Sequence, residues 1–381
     1  MLFGNKKTSR RAFIMNKPPL FFYLRDLINI RKEGIELINL YSLNPVKKTD
    51  TKPLPIHTEF ELVNLYRESF NIPQEVETII FPDYTSALSV LLFTFMDLND
   101  EIVIPEPLPY SLRGLLDFVG VRPIPIETFI SNGFKIPLRD VIEPKITPRM
   151  KVLFYSNPQI PTGTIYSQEE MERMLFIAMN YNSLVISDET YRFTTKKDVP
   201  SLNNLVKTYP MAISIDTFAS YFGSSKIVFI NVGNGLSPVI KSFRDSLFSM
   251  TDKEMSIAAG VVSSSLESIQ KAQELLSEKR EVIGEIVEDS EELFSMRTEA
   301  GVSVVLKLAI DNADNFVNYL LRDFRVDNKT IFALPLSKLL IDGKKGKDLL
   351  VIDYYNLSID ELQEGLHLLI KAVESYKKEV R

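Results

Sequence analysis

At 381 residues, with 45% apolar, 25% charged and 10% aromatic side chains, the chain is large enough for two globular cores, and disorder is excluded as its default state. A formal net charge of −6 argues against a nucleic-acid or anionic-membrane surface as its main business and favours small molecules or proteins as partners. Cysteine is absent, which excludes disulfides, thiolate zinc sites and cysteine nucleophiles, and the two histidines, His57 and His367, have no metal-ligand spacing.

Residues 1–14 form a basic tail with Lys6, Lys7, Arg10 and Arg11 and no acid. Ser9 to Phe13 resembles a twin-arginine export signal, yet Asn16-Lys17-Pro18-Pro19 interrupts it before an apolar region develops. No run approaches the ~20 apolar residues of a membrane span, so the expectation is a cytoplasmic protein with no membrane segment. Residues 15–64 read as a segment that packs with a small domain. Within it Pro18 to Lys32 predicts a helix with Leu20, Leu24, Leu27 and Ile28 on one face.

From 65 to 265 buried-strand runs alternate with helical segments: Thr78 to Phe81, Glu101 to Pro105, Pro123 to Ile126, Lys151 to Tyr155, Leu184 to Ser187, Ala212 to Ile215 and Ile227 to Val232. Alternation of this kind predicts an α/β domain, a mainly parallel sheet with helices on both faces. Ser167-Gln168-Glu169-Glu170 is a capping box, and Met171, Met174, Leu175 and Ala178 then fall on one helix face, a core stripe. Residues 266–381 carry charged amphipathic helices, short strands near Ser303 to Leu308 and Leu349 to Tyr354, and a last helix from Ile359. They read as a smaller α+β domain.

The segment Lys151 to Tyr191 reads K-V-L-F-Y-S-N-P-Q-I-P-T-G, a capped helix, then L-V-I-S-D-E-T-Y. A strand, an N-P-x-x-P-T-G turn, a helix and a strand ending in D-E-x-Y resembles the centre of the fold-type I, pyridoxal-phosphate-dependent aminotransferases of class I and II. Pro18 to Asn39, Glu77 to Met96, Glu101 to Tyr110 and Thr217 to Ser220 fall in register with the same family, so the resemblance covers residues 15 to 375.

The resemblance implies pyridoxal phosphate as cofactor and assigns roles residue by residue. Asp188 corresponds to the carboxylate that pairs with the pyridinium nitrogen, and Tyr191 to the phenol that hydrogen-bonds the ring oxygen; packing or strand-end capping is the other reading of both. The candidate cofactor-binding set is Asp188, Tyr191, Thr85, Ser86, Ser220, Asn157 and Tyr110. Several positions depart from the pattern. Ser220 stands where the family has the lysine that anchors the cofactor and moves protons, and a hydroxyl cannot do either task.

The phosphate cup G-[AS]-x-[EQ] reads Asp83-Tyr84-Thr85-Ser86. A carboxylate ~5 Å from a phosphate charge costs on the order of 3 kcal/mol at an effective dielectric near 20, and the helix macrodipole offsets at most ~2 kcal/mol of it. In the other reading Asp83 caps the following helix and fills the anion's place itself. The family's second asparagine is Ile160, its tyrosine is displaced from Pro109 to Tyr110, its phosphate arginine is replaced around Val228, and its substrate arginine falls at Val351 or Ile352.

A second register stays open: Gly223-Ser224-Ser225-Lys226 makes Lys226 the anchoring lysine after a six-residue slide. The expectations are therefore an aminotransferase-like protein without conventional transaminase activity, binding a small molecule or an amino acid; or an active, divergent aminotransferase using Lys226; or an inactive subunit. The resemblance implies a homodimer, or for the third case a heterodimer with an active paralogue.

Overall fold

The computed structural model describes residues 19–41, 52–137, 145–217, 225–233 and 235–379, with Tyr110 and Ser111 described by backbone alone. The basic tail, Ser220, Gly223 and Ser224 lie outside the described residues.

The described chain opens with a 3-10 turn (Pro19–Phe22), helix α1 (Leu24–Lys32), strand β1 (Glu36–Asn39) and helix α2 (Glu59–Ser69). Seven strands then build the main sheet: β2 (Val76–Phe81), β3 (Glu101–Pro105), β4 (Arg122–Ile126), β5 (Met150–Ser156), β6 (Leu184–Asp188), β7 (Ala212–Asp216) and β8 (Val228–Gly233). Helices α3 (Tyr84–Phe95), α4 (Tyr110–Val119) and α5 (Gln168–Asn180) connect them. After α6 (Ser237–Leu247) and α7 (Asp252–Glu288) come β9 (Leu293–Phe294), β10 (Ser303–Leu308), α8 (Ala313–Arg322), β11 (Lys329–Phe332), β12 (Leu334–Pro335), β13 (Leu349–Asp353) and α9 (Ile359–Glu379).

The main sheet has the order β2-β8-β7-β6-β5-β3-β4, and only β8 runs antiparallel to its neighbours. Successive residues of β5 face opposite layers, as the period of a strand requires. Val152 and Phe154 join the apolar layer of Leu88, Leu91, Leu112 and Leu116 from α3 and α4. Leu153 and Tyr155 join the other, with Met171, Met174 and Ala178 from α5. Helices thus cover both faces, and each fully buried methionine of α5 stabilises the layer by about 1.5–3 kcal/mol. The predicted capping box is present, with Ser167 accepting from Glu170 N.

Two smaller sheets complete the structure: β1 pairs in parallel with β11, and β12, β13, β10 and β9 form an antiparallel sheet. The 37-residue α7 is about 55 Å long and is tied to the end of β13 by buried Lys279, whose ammonium donates to the carbonyls of Tyr354 (3.1 Å) and Tyr355 (2.7 Å). Thr251 caps α7, which runs without a break through Ser265. Among the described residues no helix is long and apolar enough to cross a membrane.

The N-terminal helix departs from expectation. Leu24 and Ile28 are 48% and 45% exposed, while Tyr23 and Ile30 are buried. The 3-10 turn ends before Tyr23, so Leu20 is out of phase with the α-helix, and the Tyr23 ring against Phe332 (5.5 Å between centroids) sets the helix rotation.

Candidate functional site

The C-terminal ends of the parallel strands, the start of β8 and the N-terminus of α3 share one edge of the sheet, where ligand sites form in open α/β folds. Ser156 and Asp188 are register partners, so the turn after β5 begins beside the end of β6. Asn157 N donates to Asp188 O (2.9 Å). Its buried side chain is spent on the chain itself: Nδ2 donates to the carbonyls of Pro200 (3.0 Å) and Tyr166 (3.3 Å), and Oδ1 accepts from Tyr166 N (2.9 Å). Gly163 closes the turn with φ +71°, and a Cβ there would meet Ala300 O at 2.2 Å; only glycine permits this approach.

At the other side of the edge, Asp83 is the N-cap of α3. Its Oδ1 accepts from Ser86 N (2.8 Å), while the Ser86 hydroxyl accepts from Asp83 N (3.2 Å) and donates to Asp83 O (2.8 Å). The capping reading of Asp83 therefore holds, and Ser86 turns back on its own helix end. Thr85 is exposed.

Tyr84, the next residue after the cap, was not among the expected site residues, yet its phenol donates to Asp188 Oδ2 at 2.6 Å across 104 positions of sequence. Thr190 N donates to the other oxygen at 3.1 Å. Burial raises the Asp188 pKa above the ordinary carboxylate range, against the lowering effect of the Thr190 and Tyr84 hydrogen bonds. Burial and then the neighbouring Asp188 push the Tyr84 phenol well up, so it remains a donor. A signal for Tyr84 existed in the sequence: it fills the place of the small second residue of the phosphate cup. Tyr191 is half-buried, and burial, then Asp353 and Asp188 nearby, raise its phenol too.

A second buried group adjoins the D-E-T-Y strand end. Arg192 lies between Glu189 (3.6 Å) and Asp216 (3.4 Å). Glu189 also accepts from the Ser201 hydroxyl and Leu202 N, both at 2.6 Å, and Asp216 from the Tyr66 hydroxyl at 3.2 Å. Two acids share one guanidinium, and burial, offset by Arg192 and reinforced by Glu189, pushes Asp216 up to about 7.

The structure thus brings together Asp188, Tyr84 and the Asn157 turn, with Tyr191 three residues beyond Asp188. Tyr110 opens α4 by its backbone, and its side chain, like Ser220, lies outside the described residues. Lys226 precedes β8 at this edge and is exposed to solvent. Val228, Val351 and Ile352, at or near the positions the resemblance gives to the family's arginines, are buried in strands.

The residues present do not fit pyridoxal phosphate as the family holds it. Both oxygens of Asp188 already accept hydrogen bonds, from the Tyr84 phenol and Thr190 N, and the N-terminus of α3 carries its own carboxylate cap.

The model of the family described as aminotransferase class I and II matches residues 23–326. The chain is 31% identical to the aspartate/prephenate aminotransferase of Thermus thermophilus over 203 residues, 48% of this chain and 52% of that one, and 29% identical to the aspartate aminotransferase of Bacillus subtilis over 150 residues, 38% of each. The matched stretches thus span about a third to a half of the curated relatives' length. In fold, it superimposes on a double mutant of Thermus thermophilus aspartate aminotransferase with a TM-score of 0.82 at 19% identity, covering 97% of this chain and 100% of that one. An alanine aminotransferase from Pyrococcus furiosus gives a TM-score of 0.81 at 21% identity over the same shares. The match over most of its length, the N-P-x-x-P-T-G turn and the strand ending at Asp188 together assign this chain to the class I and II aminotransferase family.

Proposed function

We propose that this protein keeps the aminotransferase fold without conventional transaminase activity and binds a small molecule or an amino acid in the altered cleft. The observation that carries the reading is the self-capped N-terminus of α3, where Asp83 Oδ1 holds Ser86 N in the place of an external anion. Ser220 at the lysine position and the exposure of Lys226 support it from the side of covalent chemistry. The reading includes a cytoplasmic location and a homodimer, the dimer supported by the exposure of Phe22, Leu24 and Ile28 near the N-terminus, apolar side chains that a second subunit would cover. Sedimentation as a monomer at micromolar concentration would contradict that part.

The test is incubation with pyridoxal phosphate, borohydride reduction, digestion and mass spectrometry. No stoichiometric label in the cleft is the expected result, with at most sparse labelling of surface lysines. Stoichiometric modification of Lys226, with an absorption band that an amino-acid donor discharges, overturns the reading and restores an active aminotransferase.

A further inference from the structure

The main sheet places β8 and β7 between β2 and β6, so a side chain at the start of α3 must cross two strand ends to reach Asp188. Tyr84 makes that crossing. It packs against the apolar layer beneath α3 and stays partly exposed, and its hydroxyl meets a carboxylate that is 2% exposed. A residue without the phenol would leave Asp188 Oδ2 without this hydrogen bond, with Thr190 N still on the other oxygen.

We infer that Tyr84 is an internal occupant of the cleft: its ring stands where a flat aromatic ligand would lie, and its hydroxyl takes the hydrogen bond that such a ligand's ring donor would make to Asp188. The inference deepens the reading above, on which it rests for the absence of covalent chemistry. It also defines the ligand class that Tyr84 excludes and that its removal admits. That class is a planar heteroaromatic ring with an N–H or O–H donor for Asp188 and no anionic tail, because Asp83 holds the adjacent helix end.

The experiment uses the full-length protein and two non-covalent fluorescent probes, pyridoxamine and pyridoxamine phosphate, with affinities from equilibrium dialysis and folding checked by circular dichroism. Tyr84→Ala is expected to bind pyridoxamine at least tenfold more tightly than the wild type, and Tyr84→Phe, which keeps the ring and loses the hydroxyl, to stay within threefold of the wild type. Pyridoxamine phosphate is expected to gain as much only when Asp83→Gly is added. Equal pyridoxamine affinity of wild type and Tyr84→Ala, or of Tyr84→Phe and Tyr84→Ala, overturns the inference. Should Tyr84→Ala fail to fold, 4-methylphenol supplied in solution is expected to restore its circular dichroism spectrum where toluene does not; equal failure of both overturns it as well. Labelling of wild-type Lys226 sinks the proposed function, whereas an unlabelled wild type with no gain in Tyr84→Ala sinks only the occupant.

Discussion

The two sides of the candidate site have been treated differently. Around the β5 and β6 strand ends, residues of the family pattern persist: Asn157, Gly163, Asp188, Glu189 and Tyr191. Around the N-terminus of α3, where the resemblance implies a glycine-led phosphate cup, the sequence reads Asp83-Tyr84-Thr85-Ser86. The structure explains the difference by what each side chain holds. Asn157 and Glu189 bond backbone groups of the 166–202 stretch, and Gly163 clears the Ala300 carbonyl, so replacing any of them disrupts the chain itself. At the N-terminus of α3, by contrast, Asp83 and Ser86 bond only each other and the helix end they cap.

If that contrast is right, stability measurements should rank the two sides in order. The largest effect is expected from Arg192→Met, which leaves Glu189 and Asp216 buried without their cation; the loss should be about 3–5 kcal/mol in urea unfolding followed by circular dichroism. A loss below 1 kcal/mol would show that the strand-end network is not structural. Asn157→Leu comes next, at roughly 2–3 kcal/mol, because Tyr166 N and the Pro200 carbonyl lose their partner in the interior.

Asp216 gives the comparison a pH signature. Its folded pKa, about 7, lies above the 3.8 of an ordinary aspartate, so between those values the native state holds a proton that the unfolded chain has released. Stability should therefore fall as pH rises from about 4 to about 7 and level off above. The swing should be roughly 1–2 kcal/mol, smaller than the isolated-group figure because Glu189 and Arg192 share the titration. Asp216→Asn is expected to flatten the profile, and an unchanged slope in that variant would assign the pH dependence elsewhere. Asp83→Ala, on the replaced side, should have the smallest effect, about 1 kcal/mol for the lost cap. A larger loss than that of Asn157→Leu would reverse the ranking and break the contrast.

Much of this could be read from the residues in order. Strand runs, the capping boxes at Ser167 and Asp83, the buried methionine stripe and the family pattern depend on side chains two, three or four positions apart, and such spacings are fixed by the geometry of a single strand or helix. The rotation of α1 was already beyond that reach, since Tyr23 is oriented by Phe332 from the far end of the chain. Glu189 and Asp216 could be seen as acids, but their sharing of one arginine depends on β6 and β7 being neighbours. The same holds for Tyr84 on Asp188. Strand and helix periodicity indicated the α/β fold, and the family resemblance implied the missing glycine before α3, whereas only the crossovers that bring β2, β7 and β6 to one edge decided that Tyr84 meets Asp188. A hydrogen bond between residues 104 positions apart is set by tertiary packing, and no local periodicity encodes it.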